Sequence, residues 1–150
     1  MQAMETQLRT LLENKPAGVF SVTPDMMVAA AVELINGRRV GAVLVMNGSQ
    51  LAGIFTERDV LRRVVGERRN PDTTRIGDVM TKELVVMRPT ATVQDAMTVV
   101  AERRCRHLPV VEEGRVVGII SAGDLNHWLI RNREVDIQQL VEYISGRYPA

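Results

Sequence analysis

The sequence predicts an α+β (α/β-like) fold: two pseudosymmetric β-α-β-β-α repeats packed sheet to sheet, with extra helices at the N- and C-terminal ends. Three observations lead there. One pattern of residues is written twice at a constant offset of 65 positions. Inside each copy, apolar residues switch between helical spacing and short strand-like runs. Each copy is also too small to bury a good core alone, so two copies sharing their buried surface are the stable solution.

The repeat holds register without a gap from Pro24 to Asp59. Pro24 matches Pro89, Val28 matches Val93, Ala31 matches Ala96, and Arg38-Arg39 matches Arg103-Arg104. Val45 then matches Val110, Gly53-Ile54 matches Gly118-Ile119, Thr56 matches Ser121, and Asp59 matches Asp124.

The elements follow in chain order. Residues 1–14 read as a short amphipathic helix with Met4, Leu8, Leu11 and Leu12 on its apolar side. The first repeat, 15–69, opens with an extended segment ending at Pro24, since the residue before a proline avoids helix. Val28, Ala31, Val32 and Ile35 then have helical spacing. Two apolar runs, 42–46 and 51–55, flank Asn47-Gly48-Ser49, and Asn-Gly between such runs predicts a hairpin. A second helix begins near Thr56 and carries Val60, Leu61 and Val64. Residues 70–75, polar and proline-containing, read as a linker.

The second repeat, 76–130, restates the series. Thr92 and Asp95 stand as a capping box ahead of Val93, Ala96, Met97 and Val100. The runs 108–111 and 116–120 enclose a Glu-Glu-Gly-Arg turn. A last helix starts near Ser121 with Leu125, Trp128 and Leu129, and its pattern continues through Val135, Ile137, Leu140, Val141 and Ile144 in an extension over 131–150.

Composition narrows the class. Of 150 residues 45% are apolar and 25% charged, the balance of a folded chain. Nineteen basic against eighteen acidic side chains leave +1, too little excess for a protein whose main work is clamping nucleic acid. The single cysteine excludes an internal disulfide and fits a reducing compartment. No apolar run approaches the roughly 18 residues of a membrane helix, and the N-terminal residues, with Glu5, Arg9 and Glu13, lack the apolar stretch of a secretory signal. The expected location is cytoplasmic, with no membrane partner.

The stretches Gly53-Ile-Phe-Thr-Glu-Arg-Asp59, Gly118-Ile-Ile-Ser-Ala-Gly-Asp124, Arg104-Cys-Arg-His-Leu-Pro-Val-Val111 and Ile76-Gly-Asp-Val-Met-Thr81 resemble the signature segments of tandem cystathionine-β-synthase-type (CBS) domains. The resemblance covers about residues 15–130 and is to small stand-alone bacterial pairs. It implies a Bateman module with two clefts between the repeats, assembling as a disc-shaped homodimer. It also implies an adenine ligand such as AMP, ATP, a dinucleotide or S-adenosylmethionine.

Thr56 with Asp59, and Ser121 with Asp124, place a hydroxyl and a carboxylate three residues apart at the mouth of a helix. Capping uses both groups. Nucleotide recognition also uses them: the carboxylate accepts from ribose hydroxyls, and the hydroxyl helps hold phosphate. The resemblance puts phosphate-binding bases at Arg106 and His107, facing Asp59, with Arg58 beside it. It puts adenine contacts at Met80 and Val85 in the second cleft and at Phe20 in the first. Read alone, Met80, Val85 and Phe20 are ordinary core residues, His107 is a half-buried histidine and Arg58 a solvated arginine. Where the second copy has Arg106-His107-Leu108-Pro109, the first has Gly41-Ala42-Val43-Leu44, so the two clefts should differ and one good site is expected.

Other classes fare worse. Cys105 and His107 lack an oriented third partner, and no phosphate loop or nucleophile elbow is present, so no enzyme is expected. Cys105, His107 and His127 lack structural-zinc spacing. Arginine doublets recur, but aromatics are 3% of the chain, too few for stacking on bases. The serious alternative is a ligand-free dimerisation or docking module, favoured by the C-terminal helix and by Met26, Met27 and Met46, which read as exposed. The expectation is an adenine-nucleotide sensor, AMP favoured with ATP, ADP or NAD(H) next, requiring no cofactor and acting on a separate effector protein.

Overall fold

The structure, a computed structural model, describes residues 2–15 and 19–132. Two short helices, α1 (Gln2–Glu5) and α2 (Leu8–Glu13), replace the single helix expected over 1–14. The break between them lets Gln7 pair with Thr92 in an antiparallel bridge. The helical pattern at 133–150 lies outside the described residues.

The first half contains β1 (Ser21–Val22), α3 (Val28–Arg38), β2 (Ala42–Asn47), β3 (Gln50–Thr56) and α4 (Glu57–Asp59), which runs on as a π-helical stretch over Val60–Val65. A turn of helix, α5 (Ile76–Val79), follows the linker. The second half contains α6 (Val93–Arg103), β4 (His107–Glu112), β5 (Arg115–Ser121) and α7 (Ala122–Arg131). In the first sheet β1 runs parallel to β2, and β2 pairs antiparallel with β3. In the second sheet β4 pairs antiparallel with β5, and the expected opening strand shrinks to one parallel bridge, Met87 with Val110. That bridge is the counterpart of Val22 with Val45 in the first copy. Even the ladder irregularity is repeated, after Val45 in one hairpin and after Val110 in the other.

Both hairpins turn where backbone freedom permits it. Gly48 (φ 64°) and Gly114 (φ 78°) sit in the left-handed region that side chains other than glycine avoid. Each following helix starts on a hydroxyl. Thr56, Thr92 and Ser121 each accept from the backbone N–H three residues on, and Asp59, Asp95 and Asp124 accept in return. A cap of this kind contributes about 1 kcal/mol.

Among the described residues, burial falls into three clusters. The first gathers Val28, Ala31, Ile35, Val43, Val45 and Phe55 with Ile76, Val79 and Met80. The second gathers Val93, Ala96, Leu108, Val110, Ile120 and Leu125 with Leu8 and Leu11. The segment ahead of each repeat is thus buried in the other repeat. The third joins the sheets through Ala42, Leu44 and Ile54, with Val116 and Ile119 beside them. Met26 and Met46 are half-buried against the first and third clusters, correcting their reading as exposed, and Met27 is also half-buried. Leu61, expected on the buried side, is 65% exposed. The wider π winding carries the apolar stripe past it to Val64.

Candidate functional site

A cavity of about 1170 Å³ opens between the repeats. Of the residues singled out in the sequence, Thr56, Arg58, Asp59, Met80, Val85, Arg106, His107 and Ser121 all line it. Phe20 and Asp124 are not among its lining residues. Phe20 packs against the first core cluster, with the Arg38 guanidinium 5.1 Å over its ring. Asp124 pairs with Lys15 instead, at 2.8 Å.

Asp59 is the buried acid of this wall, at 4% exposure. Its Oδ2 accepts from the Thr56 backbone N–H (3.0 Å) and hydroxyl (3.2 Å). Its Oδ1 accepts from the Thr81 hydroxyl (2.9 Å), with Arg63 Nε 3.7 Å away. Arg63 also donates to the Met80 carbonyl at 2.8 Å, tying the π-helical stretch to the start of the second repeat. Capping and cleft-lining therefore coincide in one carboxylate.

The opposite wall is set by backbone. The Ala122 N–H donates to the Arg106 carbonyl at 2.8 Å, as the Glu57 N–H donates to that of Gly41 at 3.1 Å in the first repeat. Arg106 and His107 are thereby held beside the start of α7. His107 lies against Gly41: a Cβ there would stand 3.0 Å from the imidazole Nε2. The bare glycine of the first copy makes room for the histidine of the second. Arg58 donates to the Arg104 carbonyl at 3.3 Å, across the gap between the repeats.

Cations dominate the lining. Arg58, Arg62 and Arg63 stand on one side and Arg103, Arg104 and Arg106 on the other. With Lys82 they outnumber Glu57, Asp59, Asp78 and Glu83, and a cleft of excess positive charge concentrates anions. Arg62, Arg63, Thr81, Lys82, Arg103 and Arg104 were not among the candidates from the sequence. For Arg103-Arg104 the signal was present in the repeated arginine doublet. For Thr81 it was the end of the Ile76–Thr81 motif.

Burial, and then the Arg106 guanidinium, hold the His107 imidazole below its ordinary 6.5, against the pull of Glu57. A base whose folded pKa is depressed leaves the folded state with fewer protons than the unfolded state at acid pH. Its contribution is present above 6.5 and is lost as pH falls from 6.5 through the lower folded value. Urea unfolding at about pH 7.5 and about pH 5.5 should show lower stability at the acid pH, and His107→Asn should narrow the gap between the two. An unchanged gap would remove His107 as the titrating group.

Burial pushes the Cys105 thiol up, which disfavours the thiolate a nucleophile needs. No three His, Cys, Asp or Glu side chains gather as metal ligands among the described residues. No described helix is long and apolar enough to cross a membrane.

Residues 15–66 and 76–131 each match the family model of the CBS domain. The chain belongs to the CBS-domain family. This CBS pair is 37% identical over 131 residues to the mitochondrial CBS domain-containing protein CBSX3 of Arabidopsis thaliana, covering 84% of this chain and 64% of that protein's length. It is 34% identical to the CBS domain-containing protein YhcV of Bacillus subtilis, covering 71% of this chain and 76% of the relative. Among solved structures, the CBS-domain-containing protein ATU1752 of Agrobacterium tumefaciens superposes with a TM-score of 0.77 at 34% identity, over 81% of this chain and 98% of that one. A hexameric CBS-CP12 protein from bloom-forming cyanobacteria superposes at 0.75 with 27% identity, over 89% and 75%. These relatives are named for their CBS domains and not for a reaction. CBS pairs are regulatory, ligand-sensing modules, and this CBS pair is one.

Proposed function

We propose that this CBS pair senses an adenine nucleotide, AMP before ATP, ADP or NAD(H), in the cleft between its repeats, and passes the change to a partner protein. The observation that carries the reading is the convergence of Thr56 and Asp59 from one repeat with Arg106 and His107 from the other on one cationic cavity. The ribose diol takes the place of the Thr81 hydroxyl on Asp59, and the phosphate meets Arg58, Arg106 and the neutral His107, which donates a hydrogen bond there. Met80 and Val85 supply the apolar wall for the base. A phosphate suits this cluster better than the positive sulfonium of S-adenosylmethionine. Because the ligand touches both repeats, it favours one relative orientation of the two, which is the change a partner reads.

Calorimetric titration with AMP, ADP, ATP, NAD, NADH and S-adenosylmethionine tests this. Micromolar AMP binding is expected, weakened about tenfold or more by Arg106→Ala, since a hydrogen bond to a charged group is worth about 1.5–3 kcal/mol. Asp59→Ala should abolish it. Absence of heat from every ligand would overturn the reading. The docking module would then stand in its place, supported by Leu61 and Val65, which are 65% and 63% exposed one turn apart on the π-helical stretch. A homodimer through such a face is compatible with either reading.

A further inference from the structure

The two halves fill one equivalent place with different chemistry. In the first half, Met80 and Thr81 lie against Gly53, and the Thr81 hydroxyl reaches the Asp59 carboxylate at 2.9 Å. In the second half the N-terminal arm fills that place. Leu12 lies against Gly118, and Lys15 stands 65 positions ahead of Met80, as its counterpart in the repeat. Lys15 Nζ donates to Asp124 Oδ2 at 2.8 Å and to the Ile119 carbonyl at 2.8 Å.

This lysine is built in. The arm that carries it is anchored by Leu8 and Leu11, both buried in the second core. The Leu8 and Arg9 backbone N–H groups donate to the Ala91 and Pro89 carbonyls at 2.8 and 2.9 Å, and Arg9 pairs with Glu112 at 3.1 Å. The Lys15 and Asp124 side chains are 24% and 30% exposed, too sheltered for water to screen the pair as it would at the surface. Burial opposes ionisation of Asp124, but the Lys15 hydrogen bond and the Ser121 N–H outweigh it and hold the carboxyl below its ordinary range.

We propose that Lys15 is a tethered cation that occupies the Asp124 carboxylate and closes the second repeat's half-site to a nucleotide ribose, so that the chain offers one open nucleotide site. The inference rests on the reading that the acid of this motif takes a ribose diol. A neutral diol arriving from solution competes with an ammonium whose hydrogen bond is charge-assisted and which the arm keeps at high effective concentration. The competitor on the tether wins. The carboxylate of Asp59 faces weaker rivals, the neutral Thr81 hydroxyl and the half-exposed Arg63 Nε, which at 3.7 Å stands beyond hydrogen-bond distance.

The test is AMP calorimetry on four full-length chains: wild type, Lys15→Met, Lys15→Met with Arg106→Ala, and Lys15→Met with Asp124→Asn. The methionine gives the first copy the residue the second already has. Trp128 packs in the same cluster as Met4 and Leu12, so its fluorescence reports whether the arm stays docked. Lys15→Gln serves if the methionine variant undocks it. Lys15→Met is expected to take up one more AMP per chain than wild type. That gain should survive Arg106→Ala and vanish with Asp124→Asn. A wild type that binds no AMP beside a Lys15→Met chain that does would overturn the open-cleft reading while upholding the closure of the Asp124 half-site by Lys15. A docked variant that gains no AMP overturns the proposal, and so does one whose AMP affinity falls, which would make Lys15 a ligand contact.

Discussion

Truncating Leu8 to alanine is expected to lower the unfolding free energy by about 2–5 kcal/mol, the range for large-to-small changes at fully buried leucines. Leu8 has no exposed surface and stands among Met87, Val93, Leu108 and Ile120 of the second core, although it belongs to the far N-terminal arm. Its backbone is committed as well, through the N–H that donates to Ala91 at 2.8 Å. A cavity there cannot be closed by sliding α2 inward without breaking that bond and the neighbouring one to Pro89. Domains of this size are commonly stable by about 5–15 kcal/mol, so the loss is a large share of the total. Urea denaturation followed by Trp128 fluorescence measures it, and a loss below about 1 kcal/mol would mean the arm contributes little to the second core.

The second large effect is at Gly53. A Cβ there would stand 2.7 Å from the Thr81 carbonyl oxygen and 2.8 Å from Met80 Sδ. The thioether can swing away, but the carbonyl cannot. It accepts from the Ile54 N–H at 3.0 Å while the Thr81 N–H donates to Ile54 at 2.8 Å, a closed pair that joins β3 to the second repeat. Gly53→Ala should therefore destabilise the fold by about 1–3 kcal/mol, as overpacking does, and also weaken AMP binding, because the Thr81 side of the cleft moves. Gly37→Ala is the matched control. Nothing lies within 4 Å of its added carbon, and Gly37 is inside helix α3, so about 0.5–1 kcal/mol of stabilisation is expected. Thermal unfolding of the two variants side by side separates the cases, and equal effects would refute the close-approach argument.

Both predictions turn on contacts whose visibility in the sequence differs. The hairpins were legible because Asn47-Gly48 and Glu113-Gly114 are local signals, decided by the φ angles of one or two residues. The helix starts at Thr56, Thr92 and Ser121 were legible for the same reason: a hydroxyl and an acid three residues apart satisfy each other without outside help. Much of the cleft wall followed, since repetition of Gly-Ile-x-[Thr/Ser]-x-x-Asp marks equivalent places in the two halves. What escaped was nonlocal. No local pattern says that Leu8 packs beside Leu108, or that Lys15 reaches Asp124. Carrying the 65-residue offset back past Pro24 would have shown it, for Leu11 falls on Ile76 and Lys15 on Met80. The π winding after Asp59 was also hidden, because Val60, Leu61 and Val64 fit an α-helical stripe equally well.

Each half of the chain completes its core with a segment from outside itself, Ile76–Met80 in one direction and Leu8–Leu11 in the other. The consequence is kinetic. Loops must close between Leu8 and Ala91 and between Met26 and Ile76 before either core is whole, and such distant pairings slow the search for the native state. The two arms also make each half a condition of the other. Unfolding should proceed as a single event, with no stage at which one half survives alone.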